Sequence, residues 1–164
     1  MDRLRVQKGV SMREIKFRAK PTITIDELQD LTIPFRNGFV FGNYTKGEKG
    51  YNPCLVGDVI DVAEDYVAHE WWVTIDEKTL GQFTGLYDKN GVEIYEGDIV
   101  HREAKNIDIS VYKVLYEEGN WVIRRNNFYK HLRDIVLSLA MLDLKEIEVI
   151  GNIHDNPELM NETN

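Results

Sequence analysis

Residues 79–100 read TLGQFTGLYDKNGVEIYEGDIV, and the turns inside this stretch decide the fold. Asp88-Lys89-Asn90-Gly91 predicts a hairpin turn, because Asn90-Gly91 tolerates the positive φ that a type I′ turn demands. Phe83 and Leu86 precede it, and Val92, Ile94 and Tyr95 follow. Glu96-Gly97-Asp98 makes a second turn, after which Ile99-Val100 starts another strand. Asn90, Gly91, Gly97 and Asp98 are therefore read as structural turn residues.

Short strands and tight turns continue on both sides. Upstream, Ile15-Lys16-Phe17-Arg18-Ala19 alternates apolar and basic, the period of a half-buried strand. Pro21 ends that strand or marks a bulge. Residues 26–31 can form one helical turn, and Asn37-Gly38 predicts a tight turn into a strand through Phe39 and Phe41. Residues 55–62 are strand-like around Gly57-Asp58, and 69–75, HEWWVTI, read as one strand. Downstream, 111–116 and 121–124 flank Glu117-Glu118-Gly119-Asn120, another hairpin signal. Residues 128–142 are the best helix candidate, with Leu132, Ile135, Val136 and Leu139 on one helical face. The opposite face is thin in charge, so a helix plus loop, or a strand, stays open there. Residues 146–154 read as a last strand. The expected fold is mainly β: a small antiparallel barrel or roll with an N-terminal β-rich part and one short helix. The expected divisions are an extension at 1–11, untranslated or disordered, a β-rich part at 12–77, a barrel part at 78–160 and a tail at 161–164. Met12 is the expected translation start, because Lys8-Gly9-Val10 can encode a purine-rich ribosome-binding signal just upstream. A genuine N-terminal arm is the alternative.

The chain has 164 residues, 43% of them hydrophobic, which suffices for a buried core. Its formal net charge is −8, and since the first 20 residues hold seven bases against two acids, the remainder carries −13. That balance argues against a generic polyanion binder. The longest uncharged apolar-rich run, 135–142, is eight residues; a membrane helix needs about 20. Cys54 is the one cysteine, so no intramolecular disulfide forms and a cytoplasmic setting is expected.

Catalytic patterns are missing. None of His69, His101, His131 and His154 lies in a metal motif. Residues 88–91 resemble the start of a calcium loop, but the twelfth position is Ile99 where a Glu ligand is required. Cys54 sits in apolar company, and no nucleophile elbow, phosphate loop or dinucleotide fingerprint occurs. The expectation is a non-enzyme without cofactor. Basic residues near aromatics, Arg13, Lys16 and Arg18 beside Phe17, and Arg124 and Arg125 beside Trp121, form a candidate nucleic-acid contact, with Arg stems covering a sheet edge as the favoured alternative. An acidic face between Asp58 and Glu77 suits a nucleic-acid mimic. Trp71 and Trp72 are adjacent, so on one strand they point to opposite faces. At most one enters a core that lies on a single face; the other is covered by a second layer or stands free as an interface anchor, with a strand buried on both sides as the alternative.

Three blocks also resemble one family. GQFTGLYDKNGVEIYEGDIV at 81–100, MREIKFRA at 12–19 and EVIGNIHDNPEL at 148–159 are similar, in the same order, to the YopX family of small phage and prophage proteins. The chain departs at Lys20-Pro21, where family members often continue with Trp-Asp, and in its first eleven residues; 35–72 is only loosely similar. The resemblance implies an SH3-like barrel in the C-terminal part and a bacterial host cell. It implies no activity and no catalytic residue. The expected role is a phage accessory protein binding a host or phage macromolecule, or itself; a nucleic-acid-binding module and an acidic mimic are the alternatives.

Overall fold

A computed structural model of the chain describes residues 14–48, 50–103, 110–125 and 135–160. The elements run β1 (Phe17–Pro21), α1 (Ile25–Asp30), β2 (Phe35–Arg36), β3 (Phe39–Thr45), β4 (Cys54–Val56), β5 (Val59–Val62), β6 (Val67–His69) and β7 (Trp72–Tyr87). Then come β8 (Glu93–Tyr95), β9 (Asp98–Arg102), β10 (Ser110–Glu117), β11 (Asn120–Arg125), β12 (Ile135–Ser138) and β13 (Ile147–Asn152). The fold is mainly β, as the sequence predicts.

One sheet runs β1-β3-β4-β7-β8, with β2 paired to β3. Because β1 pairs with β7 as well as β3, the pairings β1–β3–β4–β7–β1 form a circuit. The second sheet runs β12-β11-β10-β9-β13, antiparallel throughout. β5 and β6 make a separate two-stranded hairpin. Two cores form among the described residues, and the second also takes Ile94 of β8 and Leu86 of β7 from the first sheet. Ala19, Leu28, Ile33, Val40, Leu55, Val73 and Ile75 fill the first; Ile94, Val100, Tyr112, Val114, Trp121, Ile123, Leu139 and Ile147 fill the second. The expected division at 77/78 falls inside β7, which pairs with β4 at its start and with β8 at its end.

Local chemistry accounts for the elements. Thr24 caps α1: its hydroxyl accepts the Glu27 N–H, and the Glu27 carboxylate accepts the Thr24 N–H at 2.8 Å. Leu28 then enters the core. Asn37 and Gly38 both take positive φ, 52° and 76°, as a two-residue type I′ loop requires. Glu118 and Gly119 do the same between β10 and β11, at 48° and 80°.

Three expectations need correction. At 88–91 only Gly91 has positive φ, 79°, and Asn90 does not, so the turn is not type I′. Asp88 organises it instead. Its Oδ1 accepts the N–H groups of Asn90 and Val92, and its Oδ2 accepts the Val149 N–H from β13. Next, HEWWVTI is not one strand: His69 ends β6 and Trp72 begins β7. Between them the backbone turns to bond across the hairpin base, Glu70 N–H to Asp58 O and Gly57 N–H to Trp71 O. Finally, the end of the helix candidate is β12, followed by a 3₁₀ turn at Leu139–Met141. Its backbone pairs with β11, from Val122 opposite Ser138 to Arg125 opposite Ile135, and Ile135 and Val136 are β-branched residues that suit such pairing. Residues 128–134 of that candidate lie outside the described residues, as do Met12, Arg13, His131 and the tail.

Candidate interaction surface

The two adjacent tryptophans take opposite roles. Trp71 is half-buried and packs on the first core. Its ring packs closely against two glycines: a Cβ built on Gly57 would stand 2.6 Å from Trp71 Nε1, and one on Gly42 would stand 2.9 Å from the ring's Cη2. Trp72, opposite Val56 across β4, is 66% exposed. The backbone turn at Glu70-Trp71 lets one ring fold inward while the next opens strand β7.

Trp72 stands between two grooves. One, of about 540 Å³, is lined by Ile23, Leu31, Ile33, His69, Trp71 and Val73 among others. The other, of about 580 Å³, includes Thr45, Tyr51, Cys54 and Thr74. Leu31 and Tyr51 are themselves exposed, so apolar surface continues on both sides of the ring.

The β5–β6 hairpin rises from the same place. Val59, Ile60, Val62 and Val67 are all more than half exposed. Tyr66 donates its hydroxyl to Asp61 Oδ2 at 2.5 Å, and that bond pushes the phenol upward from its ordinary pKa. At the base, His69 Nδ1 lies 3.0 Å from the Gly57 carbonyl. The loop 63–66 and the base add Asp58, Glu64, Asp65 and Glu70, all exposed.

The basic residues of β1 go elsewhere. Lys16, just before the strand, and Arg18 and Lys20 within it each meet an acid from the C-terminal half: Glu93, Asp98 and Asp155. Arg18 lies between the Phe39 and Tyr95 rings, 4.9 Å from each centroid. Its guanidinium donates to Asp98 Oδ1 at 2.5 Å, while Asp98 Oδ2 accepts the Tyr95 N–H at 2.7 Å. Burial pushes the Asp98 carboxyl up to about 6, against the pull of Arg18 and that N–H. Burial also acts on Glu93, but bonds from Lys16 and Tyr95 outweigh it and hold this carboxylate below its usual range. Burial and the Glu93 charge push the Tyr95 phenol upward. Arg36 completes the group, 3.3 Å from Glu93 and stacked on Phe41. A cleft of about 600 Å³ runs along this seam, and its charged groups are matched to one another. Arg124 bonds Glu117 on its own sheet, and Arg125 ends β11 beside it; neither is brought near the β1 cations by strand pairing. Asn90 lies in a turn and Gly91 in the bend after it, Gly97 lies in a turn at φ 81°, and Asp98, expected in that turn, instead opens β9, paired with Asn152 of β13. Among the described residues no three His, Cys, Asp or Glu side chains stand together as a metal site, and no helix is long and apolar enough to cross a membrane.

What the sequence reading missed is the apolar exposure of 59–67 and the anchoring of β1. The first had a signal: Val59-Ile60-Asp61-Val62 lacks a clean period of two, so no single face buries its apolar residues. The second had none locally, because the acids lie far along the chain.

Fold and surface define a small mainly-β protein of two large sheets, with the long strand β7 reaching from one core to the other and an uncovered apolar hairpin at its side. The chain belongs to the YopX family: residues 49–161 match the YopX protein family. It is also similar to the crystal structure of protein EF1440 from Enterococcus faecalis, with 26% identity over 91% of this chain and 99% of that one, at a TM-score of 0.44. None of the curated proteins compared matches it.

Proposed function

We propose that this YopX-family protein is a phage or prophage accessory factor that acts in the bacterial cytoplasm as a non-enzymatic binding module, with Trp72 as its anchor. The observation that carries this reading is the 66% exposure of Trp72 between two grooves that it shares with the exposed Leu31 and Tyr51. A contiguous apolar patch on a monomer marks a contact site more often than an accident of folding, and tryptophan dominates such contacts. The SH3-like barrel expected from the family belongs to this proposal too. It is supported by the meander β9 to β12, whose 3₁₀ turn leads β13 back beside β9. A nucleic-acid contact through β1 has less support, because the Lys16 and Arg18 charges are matched within the chain.

The test uses the full chain with Trp72→Ala and Trp71→Ala, and measures both folding and capture of proteins from host cells expressing the gene. Trp72→Ala is expected to fold like wild type and to lose a captured partner at least about tenfold, the effect of removing an anchor worth about 2 kcal/mol. Capture undiminished in a folded Trp72→Ala protein rejects the reading.

A further inference from the structure

The hairpin beside Trp72 has features that restrict what can cover it. Among the described residues β5 and β6 pair only with each other, so each strand has an open outer edge. Proteins protect such edges with Lys, Pro or a covering element. Residues 57–71 contain no Lys, Arg or Pro. Val59, Ile60, Val62 and Val67 are instead 53–66% exposed. The open edges and the aliphatic side chains make the site; the charges around them select its occupant.

Those charges have one sign. Asp58, Asp61, Glu64, Asp65 and Glu70 all fall within residues 57–71 and face no base there. A second copy of the chain would set these carboxylates against themselves, and like charges across paired strands are destabilising. Nucleic acid would bring phosphates to the same carboxylates. A cationic chain meets neither objection. We propose that the hairpin accepts, as an added strand on an open edge, an extended segment of another protein in which Lys or Arg alternates with apolar residues. Main-chain bonds to the free edge hold the segment, its apolar side chains cover the hairpin valines, and its cations face the acids. The inference rests on the Trp72 face being the contact surface, because His69 and Glu70 line the groove beside that ring.

The experiment measures fluorescence anisotropy of labelled peptides of about ten residues, the length of a long strand, against the full chain. One peptide alternates Lys and Val, one alternates Glu and Val, and one alternates Lys and Ser. The Lys–Val peptide is expected to bind at least about tenfold more tightly than either control, and to lose that margin with the combined variant Asp58→Asn, Glu64→Gln, Asp65→Asn, Glu70→Gln. If that variant does not fold, the comparison of Lys–Val with Glu–Val on the wild-type chain decides the same point. Glu–Val or Lys–Ser binding as tightly as Lys–Val overturns the proposal. So does sedimentation showing a dimer of the wild-type chain that Val62→Thr dissociates, since the occupant is then a second copy. Capture retained by Trp72→Ala overturns the anchor reading and this inference together. Charge-blind peptide binding, with capture still lost in Trp72→Ala, overturns the cationic strand alone.

Discussion

Asp98 holds its carboxylate at 1% exposure between the Arg18 guanidinium and the Tyr95 N–H. Burial raises its pKa from 3.8 to about 6, above the unfolded value, so its contribution to stability is full below about 3.8 and is lost as pH rises through about 6. The stability margin of wild type over Asp98→Asn should therefore shrink by on the order of 2–3 kcal/mol between about pH 4 and pH 7. Urea midpoints of both proteins across that range check it; groups common to both cancel, and a flat or widening margin contradicts it. Trp71 gives the second prediction at this scale. Truncating its half-buried ring to Ala should cost about 2–3 kcal/mol. Gly57→Ala, which pushes a methyl into the same ring, should cost about 1–3 kcal/mol. Trp72→Ala should stay within about 0.5 kcal/mol. Equal losses at Trp71 and Trp72 would show that both rings are structural. On the sequence alone at most one of the adjacent tryptophans enters a one-sided core, and whether the other is covered stays open. Which ring goes inward depends on the backbone turn at Glu70-Trp71, whose bonds to Gly57 and Asp58 come from across the hairpin.

Strand β1 shows what alternation can and cannot say. The pattern of residues 15–19 is readable as a half-buried strand, and Ala19 is indeed fully buried. The basic face was not readable in the same way, because its partners lie 77, 80 and 135 residues away. Depth separates the three pairs. Arg18 is 11% exposed against a nearly inaccessible Asp98, so Arg18→Met leaves a buried charge alone and should cost about 3–5 kcal/mol. Lys20 and Asp155 are each about one-third exposed, and Lys20→Met should cost about 1 kcal/mol or less. Chemical denaturation of the two variants checks the order; similar losses would mean that depth does not govern the seam. The segment at 135–138 shows the opposite limit. Four apolar residues at helical spacing also contain Ile135-Val136, and the available edge of β11 settles the element as a strand. Turns were the most legible feature: Asn37-Gly38 closes a hairpin with residue types that suit positive φ, and Gly119 closes another in which Glu118 takes φ 48° against its ordinary preference. The 88–91 turn was legible as a turn, while its type depends on Asp88 reaching Val149 on a distant strand.

At the scale of the molecule, two cores are linked by β7 and by the ion-paired seam, and the uncovered apolar surface lies at the N-terminal end of β7. Composition could predict a core and an acidic balance. It could not locate the contact face, because exposed valines and buried valines are the same letters until the strands are paired. The central claim is that partner contact is made at this face and not in the seam cleft. Hydrogen–deuterium exchange of the full chain, with and without a captured partner, tests it most directly. The account predicts added protection in Val59–Val62, Val67–His69 and the first residues of β7, with little change elsewhere. Protection confined to Arg36, Asn37 and residues 149–156 around the cleft, or to the sheet of β10 to β12, would contradict it.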